Sequence, residues 1–276
     1  MIQERTLGIG GDTIALWDRP GSALPLVLIH GNSVAKECFR GLFDSPVLAE
    51  HRMIAFDLPG CGASSDASDP YGTYTLFGLG GVLEAVLKTL ELEHYVLVGW
   101  SMGGHLAIQM LLCDATPDGI VLTGTPPCGP DPAEIAATFL PVPGSEIMTL
   151  PDTTPEQRAA FVKLVYAPSE PSAALRQATE RADGRLRQRL FEYIFANPQL
   201  EPQRTTIARW PGPFALIQGR DEPMFDPTKL DDLKWGQLWR GGTQWIEGAG
   251  HAPFFTKPDD YARLLKAFVD DISKPA

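Results

Sequence analysis

Short runs of consecutive apolar residues recur along the first half of the chain, separated by stretches whose apolar positions return every three or four residues. Leu26-Val27-Leu28-Ile29, Met53-Ile54-Ala55-Phe56, Val96-Leu97-Val98 and Ile120-Val121-Leu122 contain no polar residue, the mark of strands buried on both faces of a parallel sheet. Between them, Thr75 to Glu91 places Leu76, Leu79, Leu83, Val86, Leu87 and Leu90 at helical spacing, and a second helix is expected after Ser33, reaching about Glu50. Thr6 to Ile9 and Thr13 to Asp18 alternate across Gly10-Gly11-Asp12, which predicts an opening hairpin. Strand, helix, strand, helix is the rhythm of a doubly wound, mostly parallel α/β sheet.

The texture changes at Pro126. Between there and about Ile207 lie twelve of the chain's 25 prolines, interleaved with helical patches at Phe139-Leu140, Phe161 to Tyr166 and Leu186 to Phe195. The sheet rhythm returns with Phe214-Ala215-Leu216-Ile217 and Thr243 to Ile246, and a closing helix is expected over Pro258 to Ile272, opened by a proline as helices tolerate. The expected organisation is therefore a core domain built from residues 1–125 and 208–276, with residues 126–207 as a helical cap inserted into it. The apolar inner face of such a cap would roof the sheet and receive a hydrophobic substrate tail.

Composition narrows the partners. A chain of 276 residues with 44% hydrophobic content can bury a sizeable core. A net charge of −11 opposes binding to nucleic acid or to an anionic membrane. No apolar run reaches transmembrane length, and the first ten residues lack a signal-peptide core. Cys38, Cys61, Cys113 and Cys128 are widely spaced, so neither a disulfide framework nor a thiolate metal site is expected, and the reducing cytoplasm is the expected compartment. The five histidines also lack metal-ligand spacing, and no metal or other cofactor is expected.

The chemistry concentrates at Val98-Gly99-Trp100-Ser101-Met102-Gly103-Gly104, where a buried strand runs into Gly-x-Ser-x-Gly and on into an apolar helix. This is the pattern of a nucleophile elbow, whose glycines let strand and helix close up while the serine projects above the sheet. A serine hydroxyl needs a histidine base, and the base needs an anion that fixes its tautomer. His251, in the glycine-rich loop after the last strand, is the candidate base. Asp221 and Glu222, beyond the strand that ends at Gly219, are competing candidates for the acid. The backbone N–H groups of Asn32 and Met102 are candidates for an oxyanion hole. His30 is expected to brace the Asn32 loop, and His51, His94 and His105 to be structural.

These motifs resemble those of the α/β-hydrolase superfamily. More narrowly, His30-Gly31-Asn32-Ser33, Gly99 to His105, Thr123-Gly124-Thr125-Pro126-Pro127, Asp183-Gly184-Arg185, Gly219 to Pro223 and Gly250 to Phe254 are similar in order and spacing to the metal-independent N-acyl-homoserine lactonases of that fold. The resemblance implies an α/β-hydrolase fold and metal-free opening of the lactone ring of bacterial quorum-sensing signals. It also implies a Ser-His-Glu triad, made here of Ser101, His251 and Glu222. In relatives of the fold the acid stands three residues after the glycine, which from Gly219 is Glu222, with Asp221 as the alternative. A cap tyrosine touches substrate in that family, and Tyr166 is the candidate here. The implied partner is a small, neutral acylated lactone or ester. A generic carboxylesterase, another lactonase or a perhydrolase would use the same triad, and a catalytically silent receptor would use only the pocket. Epoxide hydrolases and dehalogenases of this fold want an aspartate where Ser101 stands.

Overall fold

The computed structural model describes residues 1–113 and 115–274. Nine strands form its sheet: β1 (Gln3–Ile9), β2 (Asp12–Arg19), β3 (Ala23–Ile29), β4 (His51–Phe56), β5 (Val96–Trp100), β6 (Gly119–Thr123), β7 (Pro213–Gly219), β8 (Gln237–Leu238) and β9 (Gln244–Ile246). Their order is β1-β2-β4-β3-β5-β6-β7-β8, with β9 also pairing with β7. The first two strands form the expected hairpin, with Gly10 and Gly11 at positive φ and Ile9 opposite Asp12. From β3 to β9 every pairing is parallel. The all-apolar runs are the reason, since strands covered by helices on both faces cannot alternate polar with apolar. Val27, Leu28, Val96, Leu97, Ile120 and Leu216 are all fully buried.

Helix α1 (Leu76–Thr89) begins where the spacing predicts, with the Thr75 hydroxyl capping the Gly78 N–H. Helix α2 (Met102–Met110) follows β5. Beyond β6 come α3 (Pro132–Thr138), α4 (Pro155–Tyr166), α5 (Ala173–Arg181), α6 (Gly184–Ala196) and α7 (Gln203–Arg209), a helical insertion between neighbouring strands β6 and β7. Helix α8 (Pro258–Ile272) closes the chain against β6, β7 and β9.

One expectation is corrected. The single helix expected between Ser33 and Glu50 is instead a 3-10 turn at Lys36–Phe39, one α-turn at Arg40–Phe43 and another 3-10 turn at Pro46–Leu48. Pro46 supplies no N–H and biases Ser45 toward its extended conformation (φ −68°, ψ 124°), which stops the helix. The two-residue edge strand β8 has no apolar run to announce it.

Parallel strands put their carboxyl ends at one edge, and the loops leaving β3, β4, β5, β6, β7 and β9 meet there. His30 ties two of them together. Its Nε2 accepts from the Leu58 N–H after β4 (3.0 Å), and its Nδ1–H donates to the Gly31 carbonyl (2.8 Å). That pattern needs a neutral ring, and burial pushes the His30 pKa below its ordinary value despite the opposing pull of Asp57.

Two predictions follow from this packing. A Cβ on Gly103 would lie 2.1 Å from the Ile29 carbonyl oxygen, a backbone atom that cannot swing aside. Gly103→Ala is expected to lose about 1–3 kcal/mol of stability, read as a lowered thermal midpoint. For His30, the unfolded chain takes up its proton below ~6.5 while the folded chain resists it, so stability falls as pH drops below that value. The wild-type midpoint should decline between pH 7 and pH 5, and His30→Gln should flatten part of that slope. Equal slopes would contradict the assignment.

Candidate active site

Ser101 sits between β5 and α2 at φ 55° and ψ −121°, a conformation that L-residues rarely adopt. The surroundings over-determine it. Its N–H donates to the Thr123 carbonyl (2.8 Å), and the Thr125 hydroxyl donates to its carbonyl (3.0 Å). The two elbow glycines are needed for space: a Cβ on Gly99 would lie 2.5 Å from Gly104 Cα, and one on Gly103 would strike β3. Gly104 in turn makes room for Thr125, whose Oγ1 would be 2.1 Å from an added Cβ.

His251 is brought to the same place from the loop after β9. Its backbone carbonyl accepts from the Trp100 indole N–H (2.9 Å), so the residue beside the serine holds the histidine loop. Gly124, at φ 62°, leaves the space that the imidazole edge occupies, since a Cβ there would lie 2.6 Å from His251 Cε1. The Gln218 carboxamide fixes that glycine by accepting from its N–H (2.8 Å) and donating to the Leu122 carbonyl (3.1 Å). Thr123-Gly124-Thr125 is thus a positioning device: Thr125 clamps the elbow and Gly124 yields to the histidine.

The acid facing His251 is Glu222. Its Oε2 lies 2.8 Å from His251 Nδ1, and its Oε1 accepts from the Met224 N–H (2.9 Å). Both side chains are buried, at 1% and 2% exposure, which removes the competing solvent that would weaken the bond. Asp221 is turned outward and exposed, and its backbone N–H spends itself on the Ala249 carbonyl (2.9 Å). An ionised carboxylate only accepts, so His251 carries its proton on Nδ1 and keeps the Nε2 lone pair. That is the tautomer a general base requires.

Asn32 and Met102 flank the serine. Met102 is the first residue of α2, whose N–H has no acceptor inside the helix, at the positive end of the helix dipole. Asn32, in the loop after β3, lines the same cavity as Ser101 and Met102. Both ends of the Asn32 side chain are engaged: its Nδ2 donates to the Met148 carbonyl (3.1 Å) and its Oδ1 accepts from the Ser33 hydroxyl (2.8 Å).

Asn32, Ser101, Met102 and His251 all line one cavity of about 320 Å³. Its remaining wall is mostly apolar, with Phe77 from α1, Met148, Leu190, Phe191 and Ile194 from the helical insertion, and Met224. Phe77 and Phe195, at 43% and 44% exposure, also belong to the wall and mark its open side. Two polar residues interrupt it further along α2. His105 Nδ1 is held by Gln203 Oε1 (2.7 Å), while Gln203 Nε2 donates to the His105 carbonyl (3.1 Å). Gln109, one turn on, has an amide nitrogen with no partner among the described residues. Among the described residues, no three His, Cys, Asp or Glu side chains gather as a metal site, and no helix is long and apolar enough to cross a membrane.

Tyr166 is not brought to this wall. It is fully buried behind the elbow, with its ring 6.0 Å from Trp100 and 4.7 Å from Phe255, and its hydroxyl has no partner among the described residues. The packing of an aromatic against aromatics decides its place. Sequence reading named neither Thr125 nor Gln218 as supports of the site, nor Trp100. The Thr-Gly-Thr after a buried strand was their one visible trace, because a hydroxyl on each side of a glycine suits a tight, clamped turn.

The chain superposes on a variant of the N-acyl homoserine lactonase AidH in complex with N-hexanoyl homoserine, with a TM-score of 0.94, 30% identity and coverage of 100% of this chain and 99% of the other. Another AidH variant, in complex with N-hexanoyl homoserine lactone, gives a TM-score of 0.93 at 30% identity, with 98% of each chain covered. A pimeloyl-[acyl-carrier protein] methyl ester esterase of Yersinia pseudotuberculosis is 28% identical over 261 residues, which span 90% of this chain and 94% of that one. The model of the alpha/beta hydrolase family matches residues 26–264. An elbow serine above a parallel sheet and a buried histidine-carboxylate pair at the same edge agree with that match: the chain is an enzyme and belongs to the alpha/beta hydrolase family.

Proposed function

We propose that the protein is a serine hydrolase of ester bonds that opens the lactone ring of N-acyl-homoserine lactones, so inactivating them as quorum signals. One observation carries the choice of substrate: the likeness to AidH, bound to its ring-opened and intact ligands, extends over the whole chain, insertion included. The helical insertion acts as a cap whose apolar inner face takes the acyl tail. His105, a residue of the cavity wall, adds support: Gln203 holds its Nδ1–H, which leaves Nε2 an acceptor that the amide N–H of an N-acyl lactone could use.

The reaction follows from the proton positions. His251 Nε2 takes the Ser101 proton as Oγ adds to the lactone carbonyl, and Glu222 stabilises the imidazolium that forms. The carbonyl oxygen, now an anion, is received by the N–H groups of Asn32 and Met102. As the intermediate collapses, the bond to the ring oxygen breaks and His251 returns its proton to that oxygen. The new hydroxyl remains tethered to the acyl-enzyme and can reclose the ring. Water, deprotonated by His251, must therefore attack after that arm has swung away. The second attack releases N-acyl homoserine and restores the serine.

The methyl ester esterase of Yersinia favours a second reading, a simple carboxylesterase using the same residues. Incubating the purified protein with N-butanoyl and N-decanoyl homoserine lactone, followed by mass spectrometry, separates the two. Ring opening adds the mass of one water and should vanish in Ser101→Ala. If aryl esters are cleaved and neither lactone is opened, the lactonase reading is wrong. For the acid, Glu222→Gln is expected to cut kcat by about 10²–10⁴-fold, as loss of the tautomer-fixing anion does. Asp221→Asn should leave kcat within about twofold. The reverse pattern in folded variants would transfer the role to Asp221.

A further inference from the structure

Helix α6 carries Arg187, whose side chain is buried at 3% exposure yet meets no carboxylate among the described residues. A guanidinium stays charged under such burial, so its position has to be compensated by hydrogen-bond acceptors. It finds them on two sides. Nε donates to the Leu150 carbonyl (2.7 Å), Nη2 to the Pro151 carbonyl (2.9 Å) and Nη1 to the Ala182 carbonyl (3.4 Å), all within the cap. Nη1 also crosses to the core and donates to the Ser33 hydroxyl (3.1 Å).

What Ser33 does with that bond gives it meaning. Ser33 is buried, adopts φ 56°, and uses its one hydroxyl proton on Asn32 Oδ1 (2.8 Å). The other end of the Asn32 carboxamide donates to Met148, again in the cap. Both ends of the Asn32 side chain are therefore tied, through Ser33 and Met148, to the segment that Arg187 gathers. The carboxamide is thereby fixed at both ends, and the loop that carries the Asn32 N–H is fixed with it.

We propose that Arg187 is a positioning residue for the oxyanion hole: through Ser33 it holds the Asn32 N–H in place, so that the hole is complete only while the cap is seated on the core. The charge also lies one hydroxyl away from the loop where negative charge develops in the reaction, and a fixed cation there favours the anionic intermediate over the neutral ester. This rests on the serine-hydrolase reading and on no particular acyl substrate.

The test uses Arg187→Met and Ser33→Gly, with turnover of p-nitrophenyl butyrate. Ser33→Gly suits the positive φ and leaves Arg187 on the Leu150 and Pro151 carbonyls, so it decides the matter alone if Arg187→Met does not fold. Deleting an oxyanion donor costs ~10²–10³ in kcat, and displacing one should cost about 10–100-fold, with KM changed by less than about threefold. Two inhibitors separate positioning from general damage. Phenylboronic acid, which bonds the Ser101 oxygen to boron as a tetrahedral anion, should weaken by the same factor as kcat. Hexan-1-ol, which fills the apolar cavity without an oxyanion, should hold its Ki within about twofold. A folded Ser33→Gly variant with kcat within about threefold of wild type overturns the proposal, as does equal weakening of both inhibitors. If Ser101→Ala itself retains turnover, the serine-hydrolase reading has failed instead.

Discussion

The close approach of α2 to the ends of β3 and β6 is the constraint on which the site depends. Strand β5 must turn into a helix within one residue, and that residue, Ser101, is held at φ 55°. Such strain persists only when the neighbours supply more than it costs. Here they are the Thr123 carbonyl, the Thr125 hydroxyl and the absence of side chains at Gly99, Gly103 and Gly104. The same turn brings Ser101 and Met102, the first residue of α2, to one cavity. In the proposed mechanism, exposure of the nucleophile and a donor for the oxyanion are thus products of one backbone geometry.

The histidine and its acid reach the serine by packing against that elbow. Trp100 serves both faces of the problem: its backbone ends β5, and its indole N–H holds the His251 carbonyl while its ring lies against Phe254. Glu222 is buried with one oxygen on the Met224 N–H and the other on His251, which leaves it little freedom to rotate away. In the proposed mechanism, a base fixed in tautomer and direction loses little entropy on reaching the transition state.

In the proposed reading the helical insertion acts as a cap and contributes in two ways. Its apolar side chains would take hydrocarbon, for which shape and area suffice. Its polar backbone, through Met148 and the carbonyls gathered by Arg187, reaches the Asn32 loop by hydrogen bonds, for which direction matters. Gly184 at the start of α6 permits this meeting, since a Cβ there would lie 1.8 Å from the Pro151 carbonyl oxygen. In the proposed reading, substrate enclosure and alignment of the oxyanion loop thereby share one segment of chain.

Local pattern alone determined much of this protein. The continuous apolar runs specify parallel strands, because a strand covered on both faces has no place for a polar residue. Gly-Trp-Ser-Met-Gly between such a run and an apolar helix specifies the elbow, because the turn's sterics act over a few residues. Long-range contacts decided the rest. Asp221 and Glu222 are neighbours of the same charge, and only the fold of the β7 loop turns one inward to His251 and the other to solvent. The expected helix before β4 broke into short turns at Pro46, and the tyrosine expected at the substrate lies in an aromatic cluster. Arg187 reads as one more polar residue on an amphipathic helix, since nothing local reveals that its partner stands 154 positions away. Periodicity reports which face of an element is buried. It is blind to which atom waits on the other side.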